Sequence, residues 1–307
     1  MRQSQTYEHL PSVVMNLEVL PSEYHTKLKL NRANIFDPES YLSKSAVFEL
    51  YQKSLFQWRY HPREYDSTKS MTWGSLVDCL ITTPEDFGSQ FTVSPFENFK
   101  TKAAREWRDN MQAEGVDIVT EEMIEKAEAA VKVLTETHEE AAAILADSRK
   151  QVMLMSPIKH PLSDKIINMK ALLDVVPNNA DFIADIKTVH DFTPSGFEKA
   201  IAKYGYHVQA SHYLNLWNLL NPDDQRHRFR IIWQDSNPPY EVAITELPET
   251  DIADGADLFN HLLSKIIVAS KKNKWEMRFP TTILLGRATF GMYQEGQEID
   301  GYVEAPK

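Results

Sequence analysis

Residues 182 to 189 read FIADIKTV, and this run constrains the rest of the chain more than any other. Successive side chains of a strand alternate between its faces. Phe182, Ala184 and Ile186 therefore share one apolar face, while Asp185 and Lys187 stand together on the other, about 6 to 7 Å apart. A second lone acid, Asp174, interrupts the apolar run ALLDVVP, and the turn-forming PNNA separates the two runs. Pairing them as a hairpin brings Asp174 close to Asp185. Two like charges converging in an apolar sheet repel each other unless a cation lies between them. Two accounts follow. A half-exposed ion pair on an edge strand is worth little; a metal site with a lysine beside it is a centre for chemistry.

Oxygen donors without histidine or cysteine favour a hard cation, Mg²⁺ or Mn²⁺ in its place. A lysine cannot be a ligand there, but it can orient or deprotonate an attacking water and offset charge on a pentacoordinate phosphorus. Cys79 is the only cysteine, which excludes an intrachain disulfide, a four-cysteine zinc site and a four-cysteine iron–sulfur cluster. No basic residue near the start is followed by an unbroken apolar stretch, and no run approaches 18 apolar residues. The expectation is a cytoplasmic protein with no membrane partner. The formal charge of −11 argues against non-specific coating of nucleic acid, yet a basic lining confined to one channel is compatible with an acidic exterior. RHRFR at 226–230 and KKNK at 271–274 are the candidate basic stretches, each read first as an ordinary solvated face.

The pattern along the chain changes period twice. Residues 1–40 are broken by Pro11, Pro21 and Pro38 and read as an irregular segment. SKSAVFELYQKSLFQWRYHP reads as one helix capped by Ser43 or Ser45, and WGSLVDCLITTPEDF as a second that begins near Gly74. Residues 95–150 form a helical insertion, with a break near Thr137. QVMLM, NMKALLDVV and DFIADIKTV are strands, PSGFEKAIAKYG and YHVQASHYLNLWNLL helices, FRIIWQ and EVAITEL strands, and ADGADLFNHLLSKIIVASKKNKW a last helix. This order describes an α/β fold, a mixed sheet flanked by helices, over residues 41–278, followed by a tail at 279–307.

LLDVVP followed by IADIKTVHD and then YGYHVQASHYLNLWN resembles the PD-(D/E)xK nuclease superfamily. The resemblance is to the exodeoxyribonuclease VIII-like branch, similar to lambda exonuclease and to RecB-type nuclease domains. It puts Asp174 at the first half-motif and Asp185, Ile186 and Lys187 at the second. It implies that Asp174, Asp185 and the Ile186 carbonyl hold Mg²⁺ and that Lys187 handles the nucleophilic water. The branch carries Q-x-x-x-Y on a helix, matched by Gln209 and Tyr213, which share a face and would support Lys187 or the scissile phosphate. GSLVDCL matches a further helix, with Asp78 as an outer metal ligand where many relatives have histidine, and Gln151 stands where several have glutamate. The resemblance implies a restriction-endonuclease-like core and a 5′-to-3′ exonuclease on linear duplex DNA ends. It further implies ring-shaped homo-oligomers and a single-strand annealing protein that takes over the 3′ overhang. The helix start at Ser43 to Ser45 can offer its amides to a terminal phosphate or be a plain cap. The rival reading is a non-catalytic DNA-end or protein-binding module on a nuclease fold.

Overall fold

The computed structural model describes residues 8–9, 24–62, 69–279 and 281. Most of the segment 1–40 expected to be irregular, and the tail from residue 282, lie outside these. The chain opens with a two-residue strand β1 (Glu8–His9), a helical turn α1 (Tyr24–Lys27) and a short strand β2 (Tyr41–Leu42). Helices α2 (Lys44–Gln52), α3 (Leu55–Tyr60) and α4 (Lys69–Thr82) follow. Next come α5 (Phe87–Gln90), β3 (Phe91–Val93), α6 (Lys102–Ala113), β4 (Asp117–Val119), α7 (Glu121–Lys132) and α8 (Glu139–Ala146). Three long strands, β5 (Ser148–Lys159), β6 (Ile166–Pro177) and β7 (Phe182–Val189), precede α9 (Pro194–Tyr204) and α10 (Tyr206–Leu220). Strands β8 (Arg228–Asp235) and β9 (Val242–Glu246) and the long helix α11 (Glu249–Lys272) complete the order.

The main sheet runs β1-β5-β6-β7-β8-β9, with β2 also paired to β6. It is mixed: β7 and β8 are parallel, as are β2 and β6, while the β5–β6, β6–β7 and β8–β9 pairs are antiparallel. A parallel pair needs a crossover, and α9 and α10 supply it between β7 and β8. This is the mixed sheet flanked by helices that the sequence describes. One face packs on α2, α10 and α11 around Trp58, Trp217, Trp233, Phe229 and Ile266. The other packs on α4, α7 and α8 through Leu76, Val77, Ala127 and Ile144. Among the described residues no helix is long and apolar enough to cross a membrane.

Strand β7 lies between β6 and β8, so the half-exposed edge-strand account of its charges is set aside. Phe182, Ala184 and Ile186 enter the second cluster while Ile183 enters the first, so both faces of the strand are covered. Three local expectations change. The helix over 43–62 is two helices, because Ser54 accepts the Gln57 N–H at 3.1 Å while the Gln57 side chain takes the Ser54 N–H, and this reciprocal cap starts a new helix. Helix α4 begins at Lys69, with Gly74 inside it. The insertion is not purely helical: β3 and β4 form a parallel pair, and the break expected near Thr137 falls at His138, whose Nδ1 accepts the Ala141 N–H at 3.2 Å.

Candidate active site

The β6–β7 ladder registers at Val175 opposite Ala184, and one step further along the same register Asp174 faces Asp185. There the carboxylate replaces a backbone partner: Asp174 Oδ2 accepts the Ile186 N–H at 3.2 Å. Asp185 is 1% exposed, and its Oδ1 accepts from Gln209 Nε2 at 2.6 Å. Its Oδ2 is ion-paired with the Lys187 ammonium. Lys187 Nζ also lies 3.8 Å from Asp174 Oδ2, donates to the Ile186 carbonyl at 3.2 Å, and stands 5.3 Å from the centre of the Tyr206 ring. The hairpin thus sets two acids and a lysine in contact, as the sequence implies.

Two of the expected residues make direct contacts within the site. Gln209 donates to Asp185 rather than to Lys187, so it fixes the acid and only through it the lysine. The Ile186 carbonyl accepts the Lys187 ammonium, so here the lysine contacts the same three groups that a cation would. Tyr213, one turn beyond Gln209, packs edge-on to Phe229 and lines the cavity beside Asp174.

Asp78 reaches the same place from α4. Its Oδ2 accepts from Gln151 Nε2 at 3.1 Å, and Gln151 also donates to Thr82 Oγ1 at 3.0 Å. Gln151 holds a left-handed backbone (φ 49°), unusual for a non-glycine residue in a strand. Asp78 Oδ1 is buried without a hydrogen-bond partner. Burial pushes the Asp78 pKa up to about 6; Lys187 opposes the shift and Asp185 adds to it. Burial, then Asp185, raises Asp174 well above the carboxylate range. Burial works against the Lys187 charge, but Asp185 and Asp174 outweigh it and hold the ammonium above its ordinary pKa. Burial also pushes Tyr206 up to about 12 and raises Tyr213.

Among the described residues no three His, Cys, Asp or Glu side chains form a ready-made metal cage. The donor chemistry nonetheless fits a hard cation. Asp78 carries an orphaned carboxylate oxygen, and Asp174 and Asp185 share one ammonium between two acids.

Asp78, Asp174, Gln151 and Tyr213 open onto one cavity of about 1080 Å³, and so do Ser43 and Ser45. Asp185 and Gln209 lie behind its wall, buried. Ser43 is a true cap, its Oγ accepting the Ala46 N–H at 3.3 Å, and it faces the cavity as well. Sequence reasoning missed three residues. Lys44 is buried, donates to the Tyr204 carbonyl at 2.6 Å and lies 4.8 Å from the Phe48 ring centre. Burial, then the nearby Lys187, lowers its pKa to about 7. A cation in the first turn of a helix runs against the helix dipole, and that signal was available. Lys170 shares the strand face of Asp174, donates to the carbonyls of Tyr24 (3.1 Å) and Leu28 (2.5 Å), and is lowered by burial to about 8. Tyr206 precedes Gln209 by three residues on α10 and so shares its face.

A mixed sheet flanked by helices, with an acid on one hairpin strand and Asp-x-Lys on the next, defines the class of PD-(D/E)xK nucleases. Within it, the chain belongs to the family described as PDDEXK-like domain of unknown function (DUF3799), whose model matches residues 51–282. No curated protein matches the chain. Among solved structures it is similar to a candidate exonuclease from Eubacterium rectale, with 13% identity, a TM-score of 0.56, and coverage of 85% of this chain and 89% of that one. At that identity the likeness shows the fold alone. A phage-related exonuclease from Haemophilus somnus 129PT matches at 12% identity over 73% of this chain and 96% of its own. The alkaline exonuclease LHK-Exo from Laribacter hongkongensis matches at 16% over 62% and 96%. Their TM-scores are 0.28 and 0.24.

Proposed function

We propose that this protein is a Mg²⁺-dependent exodeoxyribonuclease that enters linear duplex DNA from its ends. The observation that carries the reading is the contact of Asp174, Asp185 and Lys187, with Asp174 opening onto a cavity whose wall is basic. Six Lys and Arg side chains line it against three acids, two of them Asp78 and Asp174, although the whole chain holds 33 basic and 44 acidic residues. A carboxylate floor suits a divalent cation, and a basic wall suits a phosphodiester.

Asp174, Asp185 and Asp78 would hold the cation, with Mn²⁺ as a substitute for Mg²⁺. When bound, it polarises the phosphoryl oxygen and lowers the pKa of a water. The remaining work falls to the chain. Gln209 keeps Asp185 in one orientation through its 2.6 Å bond. Lys187 orients the attacking water and offsets negative charge that builds on phosphorus. Tyr213 lines the same cavity, where it would meet the scissile phosphate, and the first turn of α2 at Ser43 and Ser45 would offer amides to a terminal phosphate. The 5′-to-3′ direction, the 3′ overhang passed to a single-strand annealing protein, and assembly into a ring rest on the resemblance of the motifs.

End-labelled linear duplex and covalently closed circles, each incubated with Mg²⁺ and with EDTA, test the reading. Mg²⁺ should support mononucleotide release from the linear form and leave the circles intact, and Ca²⁺ should permit binding without hydrolysis. DNA binding with no hydrolysis under any divalent cation would return the protein to the non-catalytic module. Hydrolysis unaffected by EDTA would overturn the site.

A further inference from the structure

A second cavity of about 530 Å³ lies where the corner between α2 and α3 meets the C-terminal half of α11 and the segment after it. Lys53, Lys265, Lys272, Lys274 and Arg278 line it against a single acid, Glu276, which is already paired with Lys274 at 2.9 Å. In a chain of charge −11 such an excess is not the local average. The walls are fixed. Trp275 stacks on Trp58 at 5.7 Å, the Phe56 N–H donates to the Glu276 carbonyl at 3.0 Å, and Arg278 donates to the Gln52 carbonyl. Lys53 lines this groove and the active-site cavity alike, held by Glu49 at 2.6 Å and by the His61 carbonyl at 2.8 Å. The basic lining therefore runs from one cavity into the other.

We infer that this groove carries the phosphodiester backbone of the DNA substrate a few nucleotides away from the bond being cut. The inference rests on the nuclease reading of the first cavity. Lys265 and Lys272 are seven residues apart on α11, two helical turns or about 10 Å along its axis. That is the rise of about three nucleotides of one strand. Both are exposed and neither forms a salt bridge among the described residues, Lys272 adding only the smallest contribution to the lowered pKa of Glu276, so their charge is available to phosphate. Lys53 at the junction then bridges the backbone leaving the active-site cavity to the two lysines on α11.

The test is the double variant Lys265→Gln with Lys272→Gln, compared with the charge-matched variant Lys102→Gln with Lys132→Gln on the exposed insertion. Binding of a labelled 30-bp linear duplex in Ca²⁺ is read by fluorescence anisotropy across a salt series. Melting temperature and hydrolysis of the p-nitrophenyl ester of thymidine 5′-monophosphate, which is too short to reach the groove, are read beside it. The groove variant should melt and cleave the small ester as the parent does. It should bind duplex roughly tenfold more weakly at 0.1 M salt, with the slope of log K against log salt shallower by about 1.8, or about 0.9 for each phosphate that no longer meets a lysine. The matched variant should bind as the parent does. A groove variant with parental affinity and slope would overturn the groove while leaving the nuclease reading standing, as expected if the surface takes an acidic protein segment instead. A parent protein that binds no DNA would sink both.

Discussion

At the scale of single residues, the site is a balance of two acids against one half-buried ammonium, and its parts should separate stability from activity. Asp174 has its pKa raised in the folded state, so the fold binds more protons than the unfolded chain above the ordinary carboxylate pKa. Stability from this group is therefore complete below about pH 4 and is lost as pH rises from there through the folded pKa. Asp174→Asn should melt higher than the parent at pH 8, with a flatter pH dependence, and turn over on the order of 10² more slowly. Lys187→Met should lose turnover similarly but destabilise, because it leaves Asp185 buried without its cation. Thermal melts at pH 5 and pH 8 read both, and a Lys187→Met variant with near-normal turnover would make the lysine purely structural. Lys44 titrates in the opposite sense. Its folded pKa of about 7 lies below the ordinary 10.5, so the unfolded chain binds more protons between those values and stability rises with pH across that window. A phosphate in the cavity favours the charged amine, so DNA binding at pH 8 should take up a proton. Calorimetry in buffers of different ionisation enthalpy measures that uptake, and it should vanish in Lys44→Met; uptake unchanged in the variant would remove Lys44 from the substrate path.

At the scale of elements, the junction of α9 and α10 holds the site to α2. Gly205 sits at φ 65°, and a Cβ there would lie 2.5 Å from Phe48 Cζ on α2. The neighbouring Tyr204 carbonyl is the one that holds Lys44. Gly205→Ala combines a left-handed penalty with overpacking, so it should cost about 2 kcal/mol or more and weaken DNA binding as α2 shifts. Thr193→Ala removes the cap of α9, a 3.0 Å bond accepted from the Gly196 N–H, and the exposed 2.8 Å bond that Thr193 donates to Asp191, and should cost about 1 kcal/mol with DNA affinity unchanged. Chemical denaturation beside anisotropy separates the two, and equal loss of affinity in both would argue against the junction's special role. The same element explains what could be read in advance. The β6–β7 hairpin was legible because strand alternation and a Pro-Asn-Asn turn act within a dozen residues. The split between α2 and α3 was not, because the Ser54–Gln57 cap lies inside an unbroken helical period. Strands β3 and β4, three residues each, are too short to show a period. Lys44 shows itself locally only as a cation against a helix dipole, and it and Lys170 find their partners only when the distant carbonyls of Tyr204 and Leu28 close over them, which no local pattern encodes.

At the scale of the whole molecule, the question is how a chain of charge −11 keeps hold of a polyanion. Open-surface binding draws on counterion release, and several of the basic residues outside the two cavities are paired with acids, as Arg228 and Arg230 are with Glu246. Affinity at physiological salt must then come from the basic track of the two cavities rather than from the rest of the surface. If several chains close a ring around the DNA, as the proposed function holds, the strand cannot leave sideways and cutting continues for many steps. The expected result is digestion of a labelled linear duplex that barely slows when a large excess of unlabelled duplex is added after the start. The same excess added before the start should suppress it. Raising salt from about 50 to about 200 mM should slow initiation several-fold or more while leaving the rate of digestion already under way nearly unchanged, since loading depends on free phosphate contacts and retention on enclosure. Immediate arrest by the late competitor would show that the DNA is released after each cut. That outcome would defeat enclosure and the ring together, and leave the Asp174, Asp185 and Lys187 chemistry to be judged on turnover alone.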